Sequence, residues 1–108
     1  MVYSRVGMHL DTLRLYCDTV RLRSFSRAAA ARGVTQSAAS QAIRQLEGQL
    51  DVALLDRSRR PLAPTEEGRA FFEACRHLLQ GFDKARADLW DEYKKYGDIL
   101  RRLGMIKK

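Results

Sequence analysis

The segment from residue 36 to residue 50 carries short polar side chains and one arginine at helical spacing. These side chains are Gln36, Ser37, Ser40, Gln41 and Arg44. Amide and hydroxyl groups both donate and accept hydrogen bonds, and an arginine fork matches the two acceptors on a guanine edge. A helix with such a face can enter the major groove of duplex DNA, which is roughly 12 Å wide, and contact base edges there. The segment is therefore a candidate base-reading helix.

A basic cluster follows in the segment 52–65, where Arg57, Arg59 and Arg60 fall close together. Both prolines of the chain lie in this segment, which excludes a helix. Apolar residues on either side of the cluster favour short strands, so we predict a two-stranded hairpin with a basic tip at residues 56–61. An irregular loop is the alternative. Basic side chains at such a tip reach phosphates or the minor groove of DNA.

Three helices are predicted ahead of the hairpin, and they position the polar face. Apolar residues recur at helical spacing over 10–21, which indicates the first helix. An alanine-rich helix over 27–32 follows, with Ser26 as its expected N-cap. Thr35 is the expected N-cap of the third helix, 36–50, whose other face is apolar and turns to the core. The slim second helix lets the third pack closely against it.

A long helix is predicted over 66–96, beginning after an N-cap at Thr65. Its apolar residues step by four and three for over two heptads. They form a seam of Phe71, Cys75, Leu78, Phe82, Ala85 and Leu89. Roughly 30 helical residues span about 45 Å, more than a small three-helix body covers, so we expect the seam to pack against a second chain or another domain. We expect Gly97 to end the helix and residues 97–108 to form a basic tail.

Charge is distributed unevenly along the 108 residues. The chain carries 20 Lys and Arg against 13 Asp and Glu, a net charge of +7, and 15 of the basic residues are arginine. Residues 1–65 hold ten basic and five acidic side chains, whereas residues 66–96 hold six and seven. The arginine bias suits forked contacts to phosphate and guanine. The basic first half indicates a nucleic-acid module joined to a different element, and a mildly basic soluble protein without a nucleic-acid partner is the alternative.

The histidines and cysteines form no catalytic or metal-binding pattern. His9 and His77 lie far apart, and neither has a base or nucleophile beside it in the sequence. Cys17 and Cys75 lack a CxxC partner and occupy apolar helical positions, so we expect both to be small buried side chains and not a disulfide framework or zinc site. We therefore expect no enzyme, no metal and no cofactor.

Nothing in the sequence directs the chain to a membrane or out of the cell. No window of 18 apolar residues is present, as a transmembrane helix requires. Residues 1–7 lack the apolar core of a signal peptide. We expect a cytoplasmic protein.

The motifs occur in an order that is typical of a known protein family. The chain resembles the DNA-binding domain of LysR-type transcriptional regulators in two stretches, SFSRAAAARGVTQSAASQAIRQLEGQL (24–50) and LLDRSRRPLAPTEEG (54–68). Family members carry Ser-Phe-Ser/Thr-x-Ala-Ala, then Thr/Ser-Gln-x-x-x-Ser, a Leu-Glu pair and a wing that ends in Thr-x-x-Gly, and all of these occur here in order. The resemblance covers about residues 8–95. Elements and resemblance together indicate a mainly α fold, a winged helix-turn-helix of three helices and a short β-hairpin wing, followed by a long linker or dimerisation helix.

The resemblance implies roles for residues at matching positions. Four of them match the base-reading face of the family's recognition helix: Gln36, Ser37, Ser40 and Gln41. Three match positions that contact phosphates, Ser26, Arg27 and Thr35, and capping by the serine or threonine is compatible with that contact. Arg60 matches a wing arginine that enters the minor groove. We add Arg44 to the base-reading set because it lies one turn beyond Gln41 on the same face.

Two of these positions have open interpretations. Gln41 stands where many relatives have arginine, and its amide either reads adenine or is a solvated side chain. Arg57 either contacts DNA, as we expect for Arg59, or forms an ion pair with Asp56 or Asp51.

The resemblance implies a homodimer on double-stranded DNA, with antiparallel long helices that hold two reading heads on successive major grooves. The family's effector-binding domain is not among these 108 residues, which leaves an excised domain and a stand-alone relative as alternatives. We divide the chain into an N-terminal extension (1–7), a winged helix-turn-helix (8–65), the long helix (66–96) and a basic tail (97–108).

Two residues depart from the family's pattern. Arg32 stands where the family usually has leucine, so the packing under the second helix is expected to differ. Asp51 replaces a usual glycine after the recognition helix and brings the tightness of that turn into question. The rival to DNA binding is a helical protein-interaction module, in which the basic wing is ordinary surface charge. Binding to duplex DNA that weakens steeply with salt distinguishes the two.

Overall fold

The computed structural model describes residues 9–102 and residue 104. This part of the chain forms four helices and one hairpin: α1 (Leu10–Leu22), α2 (Phe25–Arg32), α3 (Gln36–Leu50), β1 (Leu55–Asp56), β2 (Ala63–Pro64) and α4 (Glu66–Arg102). The predicted mainly α, winged helix-turn-helix class is confirmed. The predicted extension at residues 1–7 and most of the tail beyond Arg102 lie outside the described residues.

One apolar core lies where the first three helices, the hairpin and the start of α4 meet. Its buried side chains are Leu13, Leu15, Tyr16, Ala28, Ala29, Ala39, Ile43, Leu46, Leu54, Leu55, Leu62, Cys75 and Leu79. Two of the four alanines of α2, Ala28 and Ala29, are almost fully buried, and because they lack bulk they let α1 and α3 approach closely. The core therefore holds the polar face of α3 at a set angle to the rest of the body.

The second helix begins earlier than the sequence predicted. Ser24, and not Ser26, is its N-cap: the Ser24 hydroxyl accepts a hydrogen bond from the Arg27 backbone N–H at 3.1 Å. The prediction failed because two serines flank Phe25, and the helix starts at this residue, which packs partly buried against the core. At the other end Gly33 takes the left-handed conformation, with φ of 71°, as glycine commonly does at the end of a helix.

The third helix has the predicted bounds. The Thr35 hydroxyl accepts a hydrogen bond from the Ala38 backbone N–H at 3.0 Å, which confirms Thr35 as the N-cap. Asp51 ends the helix in the left-handed conformation, with φ of 56°. Aspartate tolerates this conformation better than most residues, so the turn forms with Asp51 in place of glycine.

The predicted hairpin is present, with strands of only two residues each. Leu55 pairs with Pro64 and Asp56 with Ala63 in an antiparallel register. The Thr65 hydroxyl donates to the Ala53 carbonyl oxygen at 2.6 Å and accepts from the backbone N–H of the α4 residue Gly68 at 2.9 Å. One side chain thus closes the base of the hairpin and caps the long helix, as predicted for the cap.

The long helix extends further than predicted. It continues through Gly97 to Arg102, because one glycine inside a helix costs only about 1 kcal/mol relative to alanine. At 37 residues the helix is about 55 Å long. Arg14 of α1 anchors it through a forked contact with Asp83, with N–O distances of 2.8 and 3.2 Å. No helix in the described part of the chain is long and apolar enough to cross a membrane.

Arg32, one of the two departures from the family's pattern, and the two cysteines each have a defined local environment. Arg32 turns away from the core and pairs with Asp18 of α1, Nε to Oδ2 at 2.7 Å. Cys75 is buried, as predicted, and burial raises the pKa of its thiol to about 11. Cys17 is only half-buried, and burial again raises the pKa of its thiol. Neither thiol forms a disulfide.

Candidate nucleic-acid interface

The exposed face of α3 carries the five side chains that the sequence singled out. Gln36, Ser37, Gln41 and Arg44 are exposed, and Ser40 is half-buried between them. Together these five residues line a shallow groove of about 500 Å³. The face is continuous because its residues follow the helical repeat, while Ala39, Ile43 and Leu46 turn to the core. This surface offers amide, hydroxyl and guanidinium groups to a partner.

A hydrogen bond between helices orients the first of these side chains. The Ser26 hydroxyl of α2 donates to the Gln36 side-chain carbonyl oxygen at 3.1 Å. With its oxygen held in this way, Gln36 keeps its amide N–H groups for an outside acceptor. Ser26 therefore positions a base-reading candidate, in place of the capping role that we predicted for it.

Glu47 of α3 connects the recognition helix to the wing. Its Oε2 accepts hydrogen bonds from the backbone N–H groups of Leu54 at 2.7 Å and Leu55 at 3.2 Å. Its Oε1 pairs with Nη1 of Arg57 at 3.1 Å. The carboxylate thus fixes the start of the hairpin against α3. The sequence marked Glu47 only as part of a Leu-Glu motif and predicted no role for it.

The predicted ion-pair partners of Arg57 are wrong. Arg57 pairs with Glu47, and its guanidinium lies 5.5 Å from the centre of the Phe25 ring. Asp56 instead accepts hydrogen bonds from the hydroxyl and backbone N–H of Ser58, which lower the pKa of its carboxyl. The chain folds this way because α3 ends close to the hairpin, which brings Glu47 nearer to Arg57 than sequence distance indicates.

The other two wing arginines are exposed at the hairpin tip. Arg59 lies at the end of a turn that is closed by a hydrogen bond from its backbone N–H to the Asp56 carbonyl oxygen. Arg60, which precedes Pro61 through a cis peptide bond, donates from Nη1 to the carbonyl oxygens of Arg57 and Arg59, at 2.6 and 2.9 Å. Its charge therefore stays at the tip, and it forms no ion pair with a carboxylate of the described residues.

A second depression joins the polar face of α3 to the wing. This cleft has a volume of about 350 Å³. Its charged and polar lining comes from Arg23, Ser24, Gln36, Ser40, Arg44, Arg57 and Arg60. The structure thus brings three of the base-reading candidates together with two of the wing arginines. Arg27 and Thr35 do not line this cleft, although both are exposed at the start of their helices.

Sequence reasoning missed Arg23. The residue lies in the turn between α1 and α2, with φ of 55°, and it lines the cleft. Its place directly after the last apolar residue of a helix, where glycine is usual, is the signal that could have drawn attention to it.

The predicted seam of α4 is divided between two environments. Phe71 is half-buried, and the centre of its ring lies 5.6 Å from the centre of the Tyr16 ring. Cys75 is buried, so both residues pack on the chain's own core. Leu78, Phe82 and Leu89 are exposed to 53%, 43% and 69%. Ala85 is exposed as well. An exposed apolar stripe therefore runs along α4 from Leu78 to Leu89.

No cluster of three or more metal-ligating side chains occurs within the described residues. The two histidines of the chain do not enter the interface: neither lines the groove on α3 or the cleft beside the wing.

Comparison with protein families and known proteins identifies relatives of this arrangement. Residues 10–69, more than half of the chain, match the family described as bacterial regulatory helix-turn-helix protein, lysR family. An HTH-type transcriptional repressor of Pseudomonas aeruginosa is 39% identical over 80 residues, which are 74% of this chain and 25% of the relative. The HTH-type transcriptional regulator PgrR of Escherichia coli is 42% identical over 79 residues, 73% of this chain and 26% of that protein. The chain spans about a quarter of the length of these relatives.

Solved structures share the fold. Vibrio fischeri DarR, in complex with DNA, superimposes with a TM-score of 0.77 at 28% identity, covering 82% of this chain and 30% of that one. The BenM DNA-binding domain in complex with benA site 1 DNA superimposes with a TM-score of 0.75 at 32% identity. That comparison covers 78% of this chain and 94% of the BenM domain, so the likeness extends over nearly the whole of the BenM domain.

Proposed function

Because the chain belongs to the lysR family of bacterial regulatory helix-turn-helix proteins, we propose that it binds double-stranded DNA in a sequence-specific way and regulates transcription. The observation that carries the proposal is the exposed polar face of α3, continuous with a cleft lined by wing arginines. Solved relatives with this fold are named as DNA complexes. The function requires no catalytic group, and it is exercised in the bacterial cytoplasm, where the chromosome lies.

In this proposal α3 enters the major groove. The base-reading side chains are Gln36, Ser37, Ser40, Gln41 and Arg44, all on its exposed face. Glutamine amides pair with adenine and an arginine fork pairs with guanine, so the face can discriminate bases directly. The hydrogen bond from Ser26 to Gln36 supports this role because it leaves the amide N–H groups available.

The wing and the helix starts supply contacts to the DNA backbone. Arg59 and Arg60 are exposed at the hairpin tip and reach the minor groove or its flanking phosphates. Arg27 and Thr35, exposed at the starts of α2 and α3, contact phosphates, to which helix N-termini are favourable. Arg57 contributes less directly, since its pairing with Glu47 holds it at the root of the wing.

Two copies of the chain pair through α4. The stripe of Leu78, Phe82, Ala85 and Leu89 is exposed along a helix that leaves the body, and burial against a second copy removes it from water. A twofold pair places two α3 helices on the same side of the DNA, at half-sites one helical turn or a multiple of it apart. The DNA site is then a pseudo-palindrome.

Selection of bound duplexes from a random-sequence pool, followed by titration at several salt concentrations, tests the proposal. We expect a recurring pseudo-palindromic site. Affinity for it should fall steeply between about 50 and 200 mM salt. The salt slope, which is the slope of the logarithm of the association constant against the logarithm of the salt concentration, should be about −0.9 for each phosphate neutralised. Absence of duplex binding even at low salt would refute the proposal. The exposed apolar stripe on α4 would then favour the second candidate, a helical dimerisation module without specific DNA binding.

A further inference from the structure

Arg23 occupies a backbone conformation that L-residues with a β-carbon avoid. It ends α1 with φ of 55° and ψ of 37°, in the left-handed region. Glycine or asparagine meets this requirement with less strain. Its side chain is exposed and makes no hydrogen bond or ion pair within the described residues. The described part of the fold therefore gains no hydrogen bond or ion pair from having an arginine side chain at this position.

The surroundings of Arg23 are rich in positive charge, and within the described residues only one of the neighbouring arginines pairs with a carboxylate. Arg44 is likewise unpaired within the described part of the chain, and Arg60 donates only to backbone carbonyl oxygens. Both line the same cleft as Arg23. Arg57, at the root of the wing, has Glu47 as a partner for Nη1, while its Nε and Nη2 are buried without a hydrogen-bond partner among the described residues. Four guanidinium groups thus line one depression, and within the described residues only that of Arg57 has an acidic partner.

We infer that this cleft binds a phosphate of the DNA backbone, and that Arg23 is the contact supplied by the turn between α1 and α2. The inference rests on the proposed function and names a residue and a ligand group for it. A guanidinium fork matches two phosphate oxygens. The cleft lies between the base-reading face of α3 and the wing, so a strand that passes from major groove to minor groove crosses it there. A phosphate contact positions the protein without reading sequence.

Arg23→Gly tests the inference because it removes the charge and relieves the backbone conformation together. We expect the affinity for duplex DNA to fall roughly three- to tenfold at moderate salt, and the salt slope to become about one unit smaller. The loss should be equal for the site selected from the random pool and for a random duplex. The melting temperature should stay the same or rise, since glycine accepts the left-handed conformation. Arg23→Lys should retain the salt slope and most of the affinity.

Two control variants separate charge from backbone effects. Arg76→Gln removes one positive charge from α4, where Arg76 pairs with Glu73, and should leave the salt slope unchanged. Asp51→Gly relieves the other left-handed non-glycine position without removing a positive charge, and should not weaken DNA binding. If Arg23→Gly lowers the melting temperature, Arg23→Asn takes its place in the test. Asparagine also removes the positive charge, and it tolerates the left-handed conformation.

The outcomes distinguish this inference from the proposed function. If the unmodified chain binds DNA and Arg23→Gly and Arg23→Asn bind it with unchanged affinity and slope, the cleft assignment is wrong and the function stands. If the loss is confined to the selected site, Arg23 reads a base and the phosphate contact is wrong. If the unmodified chain does not bind duplex DNA at any salt, the proposed function itself fails.

Discussion

The phenol oxygen of Tyr16 lies 2.8 Å from the carbonyl oxygen of Gly68 and donates a hydrogen bond to it. Tyr16 is fully buried on α1, and the same oxygen is 3.2 Å from the carbonyl oxygen of Leu54 at the start of the wing. Burial raises the pKa of this phenol, so it stays protonated as a donor. One hydroxyl thus joins the first helix, the wing and the start of the long helix.

Substitutions at this junction should destabilise the fold. A β-carbon on Gly68 would lie 1.9 Å from the Leu54 carbonyl oxygen, so Gly68→Ala should lower the free energy of unfolding by about 3 kcal/mol, the upper end for overpacking. Tyr16→Phe should lower it by about 1–2 kcal/mol, because buried carbonyls lose their donor. Denaturant unfolding measures both. Gly81→Ala is the control: no atom of the described residues lies within 4 Å of its β-carbon position, and it should stabilise α4 by about 0.5–1 kcal/mol. A Gly68→Ala variant as stable as the parent would disprove the close contact.

The glutamines of α3 should separate specific from random binding. Gln36→Ala and Gln41→Ala should each cost about 1–3 kcal/mol on the selected site, and much less on a random duplex, because a lost base contact affects only the sequence that makes it. Fluorescence anisotropy titrations measure the two affinities. Gln49→Ala is the matched control, since Gln49 is exposed on α3 but lines neither the groove nor the cleft. Equal losses on both duplexes would assign these amides to the backbone.

Removing the wing charge should change the salt dependence. Arg60→Ala should weaken binding and reduce the salt slope by roughly one unit, as expected for one neutralised phosphate. Arg76→Ala, on α4, removes the same charge away from the wing and should leave the slope as it is. Unchanged affinity of Arg60→Ala at low salt would take the wing tip out of the interface.

Acid should weaken the junction of α1 and α2 through Asp18. Burial of this carboxyl disfavours its charged form, but hydrogen bonds and charges from Arg21 and Arg32 outweigh burial and lower its pKa. Its stabilising effect is therefore complete above the ordinary aspartate pKa of 3.8 and is lost as the pH falls through the lower, folded-state pKa. Asp18→Asn should lower the free energy of unfolding at neutral pH by about 1–2 kcal/mol.

Thermal unfolding between neutral and acid pH measures this difference. The parent and Asp18→Asn should converge as the pH falls, because the parent loses its carboxylate while the variant has none to lose. A constant difference between the two proteins across that range would show that Asp18 does not carry the effect.

Charges on the exposed stripe of α4 should separate the two copies. Phe82→Glu combined with Leu89→Glu places like charges across the proposed interface and should give monomers that bind DNA weakly, at half-sites. Sedimentation velocity measures the oligomeric state. The control adds the same charge at Gln80 and Ala87, each two residues from a seam position and so on the other side of the helix. A parent chain that is monomeric at tens of micromolar, with a double variant that binds DNA as before, would disprove the dimer.

The sequence alone determined the order of the helices, the bounds of α3, the caps at Thr35 and Thr65, the hairpin and the polar face of α3. The helical features depend on residues within about four positions of one another, so helical periodicity and capping chemistry are enough to predict them. The hairpin follows from two prolines and the apolar residues on either side of the basic cluster. The same local reasoning misplaced the start of α2, because it chose Ser26 over Ser24 as the N-cap. Two serines so close together are equally good caps by sequence, and the packing of Phe25 against the core decides between them.

The tertiary structure decided the contacts between elements. Glu47 contacts Arg57 and the start of the wing, and Arg14 contacts Asp83, which lies 69 residues further along the chain. The spacing of residues along the chain does not predict such pairs, because many side chains of opposite charge could pair with each of these residues. Arg23 joins Arg44 and Arg60 around one cleft only because the turn after α1 brings it there. The seam of α4 divides after Cys75 for the same reason: the body buries the side chains that it can reach and leaves the rest of the stripe to a partner.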